Sequence, residues 1–102
     1  MHSENVQVKH PDLDKAQAFA LRTGVSIPNT TDLAALGEGD CVKVGVGLDG
    51  VGSEAFWVEL LAIGPPQMFG VIVNQLKFTA RHNLAAGDVI MIERDDVLAI
   101  TK

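Results

Sequence analysis

"EAFWVELLAIGPPQMFGVIVN", residues Glu54–Asn74, is the stretch on which the fold turns. Taken at alternate positions, its first half divides into Phe56, Val58, Leu60 and Ala62 on one side and Trp57, Glu59, Leu61 and Ile63 on the other. A strand with one wet face carries polar residues at every second position. Here only Glu59 interrupts the second set. Gly64 with Pro65 and Pro66 reverses the chain, and a second apolar run leads to Asn74. The pattern predicts a hairpin whose first strand is covered twice, once by a curling sheet and once by a helix or a second subunit.

Upstream, "GDCVKVGVGL" alternates Val42, Val44, Val46 and Leu48 against Cys41, Lys43, Gly45 and Gly47, a strand with a period of two. "DGVGS" is the turn that joins it to the central hairpin. Downstream, 69–78 reads as the third strand, "TARHNLAAGD" as a loop, and 89–94 and 97–101 as two further strands. Consecutive strands on short links favour an antiparallel meander. "LGEGDCVKV" and "LAAGDVIMI" share a leucine, a short link, Gly-Asp and a β-branched strand. The glycine supplies positive φ and the aspartate bonds nearby backbone N–H groups, so one turn chemistry is used twice.

Ahead of the strands, residues 1–9 are polar and expected to be disordered. "HPDLDKAQAFALRTG" predicts a helix over 11–23, with Pro11, Asp12 and Asp14 suited to its first turn. Leu13, Ala16, Phe19 and Ala20 form its apolar face, Lys15 and Arg22 face water, and Gly24 ends it. A single helical turn is expected at 32–36, capped by Thr30 or Thr31. At 102 residues the chain is expected to be one domain. The fold class is α+β, with an N-terminal helix packed on a small, strongly bent antiparallel sheet or partial barrel of about five strands over 39–101.

Composition narrows the function classes. The net charge is −5 and no two of the eight Lys and Arg residues are adjacent, which argues against nucleic acid. Cys41 is the only cysteine, so no intrachain disulfide forms, and in its strand it reads as a small hydrophobe. "MHSENVQVKH" has no apolar core of a signal peptide, and no apolar run approaches the ~20 residues of a membrane span. A cytoplasmic protein with no membrane partner is expected. No cofactor or metal is expected either. His2 and His10 lack a second ligand at helical metal spacing, and "ERDDV" lacks the spacing of a calcium loop and reads as a solvated turn.

The candidate binding residues are Glu54, Trp57, Glu59, Asn74 and His82. Glu54 and Glu59 stand about 17 Å apart along a strand and on opposite faces, so they cannot act as an acid–base pair. Glu59 reads as an ion-pair partner at the rim of an apolar patch beside Trp57 and Leu61. Asn74 ends its strand and either clamps the following loop or orients a ligand. His82 is a solvated loop histidine or a polar contact with a partner. "GVGLDGVG" lacks the helix and Lys-Ser/Thr of a phosphate loop, and no serine lies in Gly-x-Ser-x-Gly, so no catalytic residue is assigned. The expected function is a non-enzymatic binding or interaction module that forms a homodimer near Glu54–Ile63 and Phe69–Leu76. An acidic immunity or inhibitor protein that binds a toxin or enzyme is the alternative, and a small hydrolase using His82, Glu59 and Asn74 is the second.

The order of pieces also carries a resemblance. "DKAQAFA" precedes "CVKVGV", followed by Glu54, Trp57 and Val58 as Glu-x-x-Trp-Val, Gly70 and Asn74 as Gly-x-x-x-Asn, Gly87-Asp88 and a terminal "DDVLAI". From about residue 13 to residue 100 the chain resembles the YegJ-like bacterial domain of unknown function. It departs where that family commonly has histidine, at Ala55, and where it tends to end Asp-Trp, at Ala99 and Ile100. The resemblance implies fold and domain extent and assigns no activity.

Overall fold

In the computed structural model, which describes residues 7–48 and 52–101, the central hairpin forms the middle of a six-stranded sheet. In chain order the elements are β1 (Val8–Lys9), α1 (Ala16–Thr23), α2 (Thr30–Ala34), β2 (Cys41–Leu48), β3 (Gly52–Ile63), β4 (Met68–Ile72), α3 (Thr79–His82), β5 (Val89–Ile92), a 3-10 turn (Arg94–Asp96) and β6 (Ala99–Thr101). The sheet runs β1-β5-β4-β3-β2-β6. Strands β2 to β5 make the expected antiparallel meander, and β6 returns antiparallel to β2. Strand β1 lies parallel to β5, within the stretch expected to be disordered. The sheet is therefore mixed and open, with six strands instead of about five. The hairpin tip at 49–51 and residues 1–6, including His2, lie outside the described residues.

The core lies on one face of this sheet. Phe56, Val58 and Leu60 of β3 pack with Val42, Val44 and Val46 of β2, Met68 and Ile72 of β4, and Ile90 and Ile92 of β5. Burying each such side chain stabilises by about 1.5–3 kcal/mol, so this face dominates the stability. The other face is not sealed, because Glu59 is exposed and Leu61 is 47% exposed. Within the chain neither the open sheet nor α1 covers this outer face, and beyond Leu60 the alternation of β3 is itself interrupted. Leu60 pairs with Gly70 and Ala62 with Phe69, so Leu61 is the extra residue of a bulge. A one-residue slip moves every later side chain to the opposite face. Ile63, grouped with Trp57 by simple alternation, thereby returns to the core side opposite Met68. Gly64 N–H donates to the Gln67 carbonyl at 2.8 Å to close the reversal, and Arg94 clamps it through the carbonyls of Gly64 and Pro65.

The N-terminal helix is shorter than its composition suggests. Leu13 bridges Val46, and Asp14 N–H donates to the Gly45 carbonyl at 2.8 Å, so both residues continue the edge of β2 past β6. That pairing needs extended backbone, and α1 begins only at Ala16. Ala16 is its one buried residue and Leu21 is 89% exposed, so α1 rests against the 3-10 turn instead of spreading an apolar face over the sheet. Gly24, at φ 75°, ends it as expected. Asn29 accepts the Asp32 N–H at 2.8 Å and caps α2, which therefore starts at Thr30.

The two Gly-Asp turns are the same structure. Gly39 and Gly87 have φ of 91° and 93°. Asp40 Oδ2 accepts Gly37 N–H and Asp88 Oδ2 accepts Ala85 N–H, each at 2.9 Å. Gly39 N–H donates to Leu60 and Gly87 N–H to Ile72, both at 2.8 Å, while Leu60 and Ile72 return the bond to Asp40 and Asp88. Each turn follows a short helix, α2 or α3, and a buried leucine, Leu36 or Leu84. The ladders agree too: Cys41 pairs with Glu59 as Val89 pairs with Val71, and Val58 pairs with Ile72 as Gly70 pairs with Leu60. The β2–β3 and β5–β4 pairs are thus related about the middle of the β3–β4 ladder.

Candidate functional site

Glu54 lies on the core-facing side of β3 near its start, in register with Val46. Its position beside the end of β4 sets it against the loop that follows. One carboxylate oxygen accepts Lys77 N–H at 2.6 Å, and the other accepts Phe78 N–H at 3.1 Å. The second oxygen also meets His82 Nε2 at 2.8 Å, with the His82 and Glu54 side chains only 4% and 10% exposed. The other ring nitrogen, Nδ1, accepts Leu84 N–H at 3.1 Å. The proton of the neutral ring therefore sits on Nε2, facing the carboxylate. Burial pushes the Glu54 carboxyl up, but donors from Lys77, His82 and Phe78 outweigh it and hold it below the ordinary glutamate range. Glu54 and His82 together fasten α3 and the 75–78 loop to β3.

Asn74 fastens the same loop from the other side. Strand β4 ends at Ile72, although Val73 N–H still reaches the Trp57 carbonyl at 3.1 Å. Trp57 N–H, which a continuing strand would engage through a carbonyl, donates instead to Asn74 Oδ1 at 2.6 Å. The clamping role expected of Asn74 is thus seen, with Trp57 as its target. The Trp57 ring is half-buried on the outer face, and the ammonium of Lys43, its cross-strand neighbour, lies 5.9 Å from the ring centroid. Where the loop leaves the sheet, a recess of about 450 Å³ opens between Trp57, Asn74, Lys43, Ser53, Lys77 and Phe78.

Four of the five candidate residues therefore converge, and Glu59 does not. It is exposed, in register with Cys41 and Val71, farther along the outer face of β3. His82, Glu59 and Asn74 do not form a triad: His82 bonds Glu54, and Asn74 bonds the backbone of Trp57. His82 is also not a solvated loop residue, since its ring is enclosed at the end of α3. Lys43, Lys77 and Phe78 line the recess without standing out in the sequence. The available signal was the alternation of β2, which sends Lys43 to the outer face, but its partner across the ladder depends on a hairpin register the sequence leaves open.

A second polar cluster lies at the 3-10 turn. Ligand oxygens of Glu93, Asp95 and Asp96 approach within 4.8 Å of one another. The Lys15 ammonium bonds all three, closest to Asp96 at 2.8 Å, and occupies the place a cation would take. Asp96 also accepts Glu93 N–H at 2.9 Å and is buried, so this segment is a packed turn and not a solvated one. Its hydrogen bond to Asp96 raises the Lys15 pKa above the ordinary lysine value, against a smaller desolvation effect. Lys15, expected to face water, thereby ties the start of α1 to this turn.

No family model, curated protein or solved structure matches the chain.

Proposed function

We propose that the protein is a non-enzymatic binding module whose binding site is the recess beside Trp57. The observation that carries this reading is the full engagement of the neighbouring acid and imidazole. Both Glu54 oxygens and both His82 nitrogens make hydrogen bonds that hold α3 and the 75–78 loop. General acid–base work needs a group within reach of a substrate proton, whereas here these groups shape a concavity walled by a half-exposed aromatic ring. A volume of about 450 Å³ suits a small molecule or one side chain of a peptide. The likeness to the YegJ-like domain belongs to the same proposal, because its Glu-x-x-Trp and Gly-x-x-x-Asn positions supply Glu54, Trp57 and Asn74. No helix among the described residues is long and apolar enough to cross a membrane, and a cytoplasmic setting is part of this reading. Amide chemical-shift mapping with a mixed set of small fragments tests it: Trp57, Asn74, Lys77 and Phe78 should move together and saturably. Shifts scattered over the surface, or confined to the Lys15 cluster, would count against it.

Self-association is a second reading, favoured by the outer face of the sheet. Leu61 and Val73 are 47% and 49% exposed beside half-buried Phe69, Val71 and Met91. Contiguous apolar surface of this kind marks interaction sites, and a homodimer would pair two such faces. Light scattering across a tenfold range of concentration tests this, a constant monomer mass being the adverse result. The inhibitor reading has less support, because the densest group of carboxylates is already engaged by Lys15.

A further inference from the structure

The recess beside Trp57 gathers hydrogen-bond donors that nothing among the described residues engages. Asn74 commits its oxygen to Trp57 N–H, which leaves its amide NH2 free. The Lys43 ammonium has the Trp57 ring as its neighbour and no carboxylate partner among the described residues. Lys77 lines the same recess, and its ammonium too has no carboxylate partner among the described residues. The acceptor side is the reverse. The one carboxylate lining the recess, Glu54, already accepts from two backbone N–H groups and from His82. Two lysines and one hydrogen-bonded carboxylate line the recess, an excess of positive charge among its described lining residues on a chain of net charge −5.

We infer that this recess takes a small planar anion, of the aromatic carboxylate class, with its flat part on the Trp57 ring and its carboxylate toward Lys43 and Lys77. This rests on the binding role proposed for the recess and names its ligand chemistry. The geometry supports each half of the ligand. An aromatic ring prefers an offset or edge contact with a second ring, and the half-buried indole lines the recess where such a ring would sit. The Lys43 ammonium lies 5.9 Å from the indole centroid, within reach of an anion carried by a ring packed against that indole. Charge-assisted hydrogen bonds to a carboxylate are about twice as strong as neutral ones. A cationic ligand would instead meet two like charges.

The test is a titration of the 15N-labelled full chain with sodium benzoate, benzyl alcohol and sodium acetate, followed by the Trp57 indole N–H, the Asn74 side-chain amide and the Lys77 and Phe78 amides. Benzoate should shift these signals saturably and bind at least tenfold more tightly than the other two. The pair Lys43→Gln and Lys77→Gln should weaken benzoate at least tenfold while the rest of the spectrum is unchanged. Benzyl alcohol matching benzoate would overturn the anion and leave the binding recess standing. Acetate matching benzoate would overturn the planar requirement. If no probe shifts these signals, both the ligand class and the binding role of the recess fall.

Discussion

The two halves of the sheet differ far more in their attachments than in their frame. Each contains a short helix, a buried leucine, a Gly-Asp turn and a β-branched strand, with equivalent hydrogen bonds throughout. At the end of α3 stands His82, bonded to Glu54; the same place in α2 is held by exposed Ala34. On the outer edge, Asp88 meets Lys9 of β1 at 2.8 Å, while its counterpart Asp40 has no ion-pair partner among the described residues. In the middle, Val58 is matched by Gly70. What both halves share is what the frame requires. The Glu54–His82 pair and the Asn74 clamp tie β3 of one half to the segment after β4 of the other. The related positions at the opposite end of the sheet, Pro66 with Ala34 and Ala62, cannot repeat either contact, which is why the pair and the clamp are read as serving something beyond the frame.

The sharpest way to break the comparison is to make the halves alike where they meet. A Cβ on Gly70 would lie 2.4 Å from Val58 Cγ1 and 2.8 Å from the Glu59 carbonyl oxygen. Gly70→Ala should therefore destabilise by about 3 kcal/mol or more, since overpacking against backbone cannot relax cheaply. Adding Val58→Ala should restore part of that loss, a coupling readable in a double-mutant cycle by urea denaturation. If the two substitutions simply add, the contact between the halves is not what demands the glycine.

Smaller differences follow at the turns. Asp88→Ala removes the bond to Ala85 N–H and the ion pair with Lys9, and should cost about 2 kcal/mol. Asp40→Ala removes only the bond to Gly37 N–H and should cost about 1 kcal/mol. Equal losses would mean that Lys9 contributes nothing. Gly39→Ala and Gly87→Ala, both at positive φ with open space around the added methyl, should each cost about 1 kcal/mol and match one another.

The last difference is a pH dependence. The Lys9 hydrogen bond, partly opposed by burial, holds Asp88 below the ordinary aspartate value of 3.8. A carboxyl depressed on folding adds stability above its unfolded value, and that stability is lost as the pH falls through the folded one. Glu54 is depressed as well, so the acid limb has two contributors. Melting temperatures between pH 5 and 2 should fall less steeply for Asp88→Asn than for the parent chain. An unchanged slope would show that the pair is screened by solvent.

Much of the frame is legible in the sequence because it rests on local chemistry. The period of β2, the Gly64 reversal, Gly24 and both Gly-Asp turns each follow from neighbouring residues. What escapes the sequence depends on contacts far along the chain. The bulge at Leu61 is set by pairing with β4 and changes which face Ile63 takes. Leu13 and Asp14 look helical, yet pairing with Val46 and Gly45 draws them into the edge of β2. Strand β1 is two residues long, too short to show a period. For the site, Trp57 and Asn74 could be singled out as types, but their clamp joins residues seventeen positions apart. The His82–Glu54 contact spans twenty-eight. No spacing rule encodes either, and α3 hides in four residues of an apparent loop.

In the proposed binding module Glu54 builds the site and does not react in it. Urea denaturation of Glu54→Ala addresses this most directly. Three donors, Lys77 N–H, Phe78 N–H and His82 Nε2–H, would lose their acceptor where the side chain is only 10% exposed. Water can replace the acceptor at the exposed Lys77 and Phe78 N–H groups, whereas His82 Nε2–H in its 4% exposed ring is left unsatisfied. A loss of about 2 kcal/mol is therefore the expected result, with the 75–78 amides losing protection from hydrogen exchange. Groups held ready for catalysis often leave stability unchanged or raise it when removed. Unchanged or increased stability of Glu54→Ala would contradict the claim.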